Sequence, residues 1–177
     1  MLNSNQIIYE NLLKLENSKG KQAQVGYDLS IKSLQKVNSS IKIGKILKDK
    51  TELAEYVPVM LGNLDNVEGY LLHPGVYDVT FHEGCKIPGN RTGFIKQRSS
   101  LYRNGSIINS PVFDPGFETD NMGTFMYVYE TIFIEKDSRI AQIYFHECEL
   151  VKKDQLYDGQ FQGDSQRKDF RNPSVQH

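Results

Sequence analysis

The sequence predicts an all-β sandwich or barrel, and three observations carry that reading. Short runs rich in β-branched and aromatic residues recur at Tyr70 to Leu72, Val76 to Phe81, Gly93 to Lys96, Thr124 to Glu135 and Arg139 to Phe145. Turn-forming clusters separate them, at His73-Pro74-Gly75, Pro88-Gly89-Asn90, Asn104-Gly105, Asp114-Pro115-Gly116 and Lys136-Asp137-Ser138. Where the apolar period is clean it is two, as when Val25, Tyr27, Leu29 and Ile31 alternate with Gly26, Asp28, Ser30 and Lys32. Many short strands at this spacing bury their apolar faces by packing sheet on sheet or by closing a barrel. At 177 residues the chain is expected to form one domain, 1–177, large enough to hold a core without disulfide or metal staples.

Taken in order, Asn3 or Ser4 can cap a short helix in which Ile7, Ile8, Leu12 and Leu15 recur near the helical period. A helical segment over about residues 1–20 is therefore expected to cover one end of the core. The first strand follows, and Asp28 lies on the face opposite its apolar residues, either as a solvated or turn-capping acid or as a carboxylate aimed into a site. Residues 35–56 are rich in lysine, with Ile41, Ile43, Ile46 and Leu47 scattered among them, and read as an insertion or edge hairpin. Near the end, TFMYVYETIFIE reads as one long strand answered by RIAQIYFHE, in which Gln142 is the lone amide. Beyond Leu150 the composition turns polar, so about 151–177 is expected to be a mobile arm that keeps Phe161, Arg167 and Lys168.

The totals narrow the function. A formal charge of -1 and a pI near 6.4 give no global attraction to nucleic acid or an anionic membrane, so any phosphate binding is local. Two cysteines, Cys85 and Cys148, form no disulfide framework and have no metal-ligand spacing, which fits a reducing cytoplasm. No basic start leads into an apolar run, and no stretch approaches the ~18 apolar residues of a membrane span, so a soluble cytoplasmic protein without a secretion signal is expected. His146-Glu147-Cys148 resembles a ligand triplet, but strand alternation would turn His146 and Glu147 to opposite faces.

The stretch from Gln97 to Glu118, QRSSLYRNGSIINSPVFDPGFE, carries the densest chemistry. Arg98, Ser99, Ser100 and Arg103 gather forked cationic donors and hydroxyls of the kind that grip phosphate. Asn109 and Ser110 follow, then Asp114 at a turn, a carboxylate able to orient a water or help hold a metal. The alternative is structural: solvated arginines at a strand end, and an ordinary Asp-Pro-Gly turn.

Gly26-Tyr27-Asp28-Leu29, His73-Pro74-Gly75, Arg98 to Arg103, Asp114 to Glu118, Arg139 to Ile143 and Gly159-Gln160-Phe161-Gln162-Gly163 resemble, in order, the motifs of the dUTPase and dCTP deaminase superfamily. The resemblance runs from about residue 22 to about 168. It implies a distorted jelly-roll of β-strands, a homotrimer with active sites between subunits, and deoxynucleoside triphosphate substrates held with Mg2+. It further implies that Arg98, Ser99, Ser100, Arg103, Gln142 and Arg167 hold phosphates, and that Asn109, Ser110 and Phe161 meet the base. Asp28 would act on Mg2+ through water, and Asp114 would orient the water that attacks the α-phosphorus.

RSSLYR and DPGFE look like the deaminase branch, where a glutamate on the following strand moves the proton at the cytosine amino group. With Asp120 to Met122 as extra residues, Val128 falls in that glutamate's place, and Glu130, two residues on, is the alternative shuttle. The hairpin from Ser106 to Phe113 is shorter than in that branch, and Gln160 and Asp164 depart from its tail. The glycine-rich final motif of the plain dUTPases is absent too. The reading that follows is a dUTPase-type diphosphatase acting on dUTP. Its alternatives are a dCTP deaminase and a catalytically degenerate nucleotide-binding regulator.

Overall fold

The fold is known from a computed structural model, which describes residues 1–48, 51–159 and 162–163. Helix α1 spans Ser4–Tyr9 and is opened by a capping box, in which Asn3 accepts from the Gln6 backbone N–H while Gln6 accepts from that of Asn3. It is far shorter than the segment expected over about 1–20. Asn11 adopts φ 53, a left-handed conformation that asparagine tolerates, and the chain then enters strand β1, Leu13–Lys14. Ile7 and Leu12 are buried, but Ile8 is exposed, so the apolar repeat of this segment serves a helix turn and a strand rather than one long helix.

Strands β2 (Lys21–Gln22) and β3 (Tyr27–Asn38) follow, then β4 (Lys45–Ile46), β5 (Thr51–Glu52), β6 (Glu55–Pro58), β7 (Gly62–Leu64), β8 (Val67–Leu72), β9 (Gly75–Phe81), β10 (Gly84–Lys86) and β11 (Arg91–Gln97). After helix α2 (Ser99–Arg103) come β12 (Ser106–Ile108), β13 (Val112–Phe113), β14 (Glu118–Thr119), β15 (Gly123–Val128), β16 (Ile132–Glu135) and β17 (Arg139–Glu147). The large sheet runs β12-β15-β9-β3-β17-β11-β13, with β2 and β6 also paired to β3. Smaller sheets join β1-β10-β14, β16-β8-β7 and β4-β5. This is the curled, all-β jelly-roll arrangement.

Strand β3 is the seam of the large sheet. Its first part pairs with β17 and its second with β9, and the register shifts between Ile31 and Ser33 where the partner changes. Residues 27 to 31 are all buried, so the simple alternation read from sequence gives way there to burial of both faces. Leu29, Ile31, Phe81, Ile95, Met126, Ile143 and Phe145 form the centre of the core. Glu83 is wholly buried there, its carboxyl accepting from the hydroxyls of Ser18 (2.6 Å) and Ser30 (2.8 Å) and from the backbone N–H of Gly20 and of Ser30 (both 2.9 Å). Those bonds tie the segment before β2 to β3.

One expectation changes and another narrows. The long strand over Thr124 to Glu135 is two strands in different sheets, because the chain leaves β9 after Val128 and pairs with β8 from Ile132. Of the two alternatives for 35–56, the edge hairpin is the one found, since residues 35 to 38 still belong to β3 and β6 returns to pair antiparallel with them. Neither Cys85 nor Cys148 forms a disulfide. Among the described residues no helix is long and apolar enough to cross a membrane.

Candidate active site

One end of the large sheet gathers Asp28, Arg98, Arg139 and Gln142. Asp28 on β3 lies directly opposite Gln142 on β17, and Gln97 at the end of β11 lies opposite Ala141. The backbone N–H of Arg98 donates to the Ile140 carbonyl at 2.8 Å, which continues the ladder one residue past β11 and fixes where that arginine emerges. Arg98 Nε is 3.5 Å and Arg139 Nη1 3.7 Å from Asp28 Oδ2, and Gln142 Nε2 donates to Asp28 Oδ1 at 3.5 Å. Arg98 also donates from Nη1 to the Arg139 carbonyl at 3.2 Å. Two guanidiniums thus share one nearly buried carboxylate, and each remains about one-third exposed, at 38% and 33%. The surplus positive charge faces outward, as a polyanion site requires.

Arg139 is the member that sequence reasoning missed. It stands three positions before Gln142, and on a regular strand residues that far apart point to opposite faces. A β-bulge between Arg139 and Ala141 inserts Ile140 as an unmatched residue, so Ile140 and Ala141 are buried in succession and Arg139 returns to the face of Gln142. Close backbone packing also matters: Gly26 has φ 80, and a Cβ there would meet the Ile143 carbonyl oxygen at 2.3 Å. Only glycine fits that approach.

RSSLYR is a single helical turn rather than a strand end. Arg98 is its N-cap, Leu101 is buried to 3% and pins the turn, and Ser99, Ser100 and Arg103 are exposed. Their hydroxyls and guanidinium are therefore displayed on the exit of β11 beside the Arg98 cluster. Among the described residues no group of three or more His, Cys, Asp or Glu side chains converges as a metal site.

Asp114 belongs to the opposite end of β11. Phe113 pairs with Gly93, five residues before Arg98, which separates the Asp114 turn from the arginine cluster by about 16 Å along the strand. Asp114 is exposed and lines a cavity of about 340 Å³ with Asn109, Phe113, Phe117 and Phe125. Ser110, half-buried, lies outside that lining. The remaining wall holds residues the sequence did not single out: Leu53, Tyr56, Asp78 and Tyr157. Asp78 offered one signal, an acid within the alternating strand β9, whereas Leu53 and Tyr56 reach the cavity through long-range pairing that no local pattern announces.

Val128 is 3% exposed at the end of β15, between Ser106 and Gly75. Glu130 does not follow it along one strand face. The strand ends at Val128, and Glu130 is exposed in the link to β16, beside Gly105 and away from the cavity lining. His146 packs edge-on against Phe94 and Tyr144, while Glu147 is exposed and reaches Arg91 at 3.3 Å. Phe161 and Arg167 lie outside the described residues.

Residues 4–148 match the family model described as dCTP deaminase-like. A relative from Methanocaldococcus jannaschii named deoxyuridine 5'-triphosphate nucleotidohydrolase is 37% identical over 140 residues, covering 79% of this chain and 86% of its own. Among solved structures, the 2'-deoxycytidine 5'-triphosphate deaminase of Agrobacterium tumefaciens superposes with a TM-score of 0.54 at 16% identity, over 81% of this chain and 47% of that one. The native dUTPase of EIAV gives 0.50 at 13% identity, over 83% and 97%. At these identities the two structures speak for the fold.

Proposed function

Because the chain belongs to the dCTP deaminase-like family, we propose that it is a dUTP diphosphatase, converting dUTP and water to dUMP and diphosphate. The carrying observation is Val128: the position that the sequence resemblance sets against the deaminases' proton-moving glutamate holds an apolar side chain only 3% exposed. Valine transfers no proton, and exposed Glu130 stands outside the cavity. The 37% identity to the M. jannaschii nucleotidohydrolase supports the same reaction.

In this reading Asp114 orients a water and accepts its proton as the water oxygen bonds to the α-phosphorus. The bond from that phosphorus to the α,β-bridging oxygen breaks, and diphosphate leaves with the electron pair. Arg98, Ser99, Ser100, Arg103 and Gln142 hold the phosphates, joined by Arg139, and Asn109 lies where the base enters. The ~16 Å between Asp114 and Arg98 along β11 is too long for one chain to serve one phosphorus, which supports a site completed by a second copy within a homotrimer.

The donor set suits Mg2+ only as a triphosphate complex, with Asp28 contributing through water, because Asp28 is already shared by two guanidiniums. When bound, Mg2+ would neutralise phosphate charge.

Incubating the protein with dUTP and with dCTP, and following diphosphate and ammonia, tests the proposal. Diphosphate from dUTP, lost in Asp114→Asn, is the expected result. Ammonia from dCTP would assign the deaminase reaction instead, and tight binding of both nucleotides without turnover would assign a regulatory binding protein.

A further inference from the structure

The segment between β4 and β7 covers one face of the large sheet. In β9, Tyr77, Val79 and Phe81 turn inward and are exposed by 3% or less, so Val76, Asp78 and Thr80 turn the other way. An acid on the outer face of a sheet ordinarily sits in water. Asp78, placed by register between Gln35 of β3 and Phe125 of β15, is nevertheless only 4% exposed. Its burial reports a cover, and part of that cover is the 51–58 stretch. Strand β6 pairs with the end of β3, setting Tyr56 opposite Val37, and the Tyr56 ring stands 6.4 Å from that of Phe125 at a 40° tilt. Residues 52 to 56 are all half-buried, and among them Leu53 and Tyr56 line the cavity that holds Asp114.

We propose that Leu53 and Tyr56 form the selectivity wall of the nucleotide site, setting which base fits beside Asp114. The proposal rests on the diphosphatase reading for its substrate, a pyrimidine deoxynucleoside triphosphate, but not for the cavity itself. At about 340 Å³ the space is at the small end of ligand pockets, roughly 300 to 1,000 Å³, and suits a single-ring base better than a bulkier ligand. Its walls are aromatic at Tyr56, Phe113, Phe117 and Phe125, and a flat ring gains most against such faces. Tyr56 is the one aromatic wall residue contributed from this segment, so it tunes the base without touching the arginine cluster.

The test uses the full chain with Tyr56→Ala, Tyr56→Phe and Leu53→Phe, each checked by thermal melting. For Tyr56→Ala we expect KM for dUTP to rise about tenfold, the size of one lost aromatic stacking contact, with inhibition by inorganic diphosphate unchanged. Tyr56→Phe restores KM, and Leu53→Phe, which fills the cavity, raises KM while strengthening rejection of thymidine triphosphate. An unchanged KM and unchanged discrimination in both Tyr56→Ala and Leu53→Phe would overturn the proposal. Should the wild type turn over no dUTP, binding of dUMP and dCMP followed by calorimetry carries the test. Weakened binding in Tyr56→Ala then supports the wall while the diphosphatase reading fails, and equal binding overturns the wall. Leu53→Phe keeps the test decisive if Tyr56→Ala does not fold.

Discussion

The two ends of β11 are built differently. At its exit, Arg98 is held with Asp28, Arg139 and Gln142 by three neighbouring strands, β3, β17 and β11, so the side chains inherit their positions from backbone pairing and from the one bulge at Ile140. At its start, Asp114 sits on a turn, and its cavity is assembled from a hairpin, the 51–58 segment and Tyr157, none of which shares one ladder with the others. On the proposed function, charge recognition is thus placed on the rigid part of the fold. The same proposal places base recognition and the reacting carboxylate where sequence can vary with less damage to the sheet.

The largest effect separates the two ends by chemistry. Asp114→Asn should lower kcat by roughly 10²- to 10⁴-fold, the range of a lost general base, while the melting temperature stays near wild type because Asp114 is exposed. A melting loss of equal weight would show the turn to be structural. Next is stability at the register end: Glu83→Ala strands the donors of Ser18, Gly20 and Ser30 and should cost about 3 kcal/mol in urea denaturation. If Glu83→Ala instead melts like wild type, the segment before β2 is not anchoring β3.

Arg98→Ala should lower kcat/KM by roughly 10- to 100-fold, the loss of one charge-assisted phosphate contact, and should weaken inhibition by inorganic diphosphate. That second readout separates it from Tyr56→Ala. The smallest effect lies beside Asp114. The side-chain hydrogen bond from Lys14 holds the Glu118 carboxyl below its ordinary value of 4.5, against the opposing pull of burial. A depressed acid stabilises the fold above its unfolded pKa, and that stabilisation is lost as pH falls through the folded one. Glu118 is 39% exposed, so the loss on acidification below about pH 4.5 should stay under ~1 kcal/mol, and Lys14→Ala should remove it. A larger acid effect that survives Lys14→Ala would place the sensitive group elsewhere.

The register end was legible in sequence because its residues lie in short motifs with local chemistry. Asp28, Arg98 and Gln142 were each identifiable, and the structure brings all three together. Arg139 was not, since its orientation depends on one unmatched residue. The cavity was half legible: Asn109 and Asp114 stand out by type, but Tyr56 reaches Phe125 only through pairing between β6, β3, β9 and β15. The split of Thr124 to Glu135 was hidden for a related reason. Tyr129, Glu130 and Thr131 contain no breaker, and only the competing partners β9 and β8 divide them.

The bulge at Ile140 makes parity a functional quantity in this chain. Flattening the bulge with Ile140 kept would leave Arg139 three positions before Gln142 on a regular strand, so the two would turn to opposite faces and could no longer meet Asp28 together, whereas deleting Ile140 would set them two positions apart and back on one face. The irregularity between Arg139 and Ala141 is thus as much a part of the site as the side chains themselves, because spacing and bulge together decide how many guanidiniums share one face.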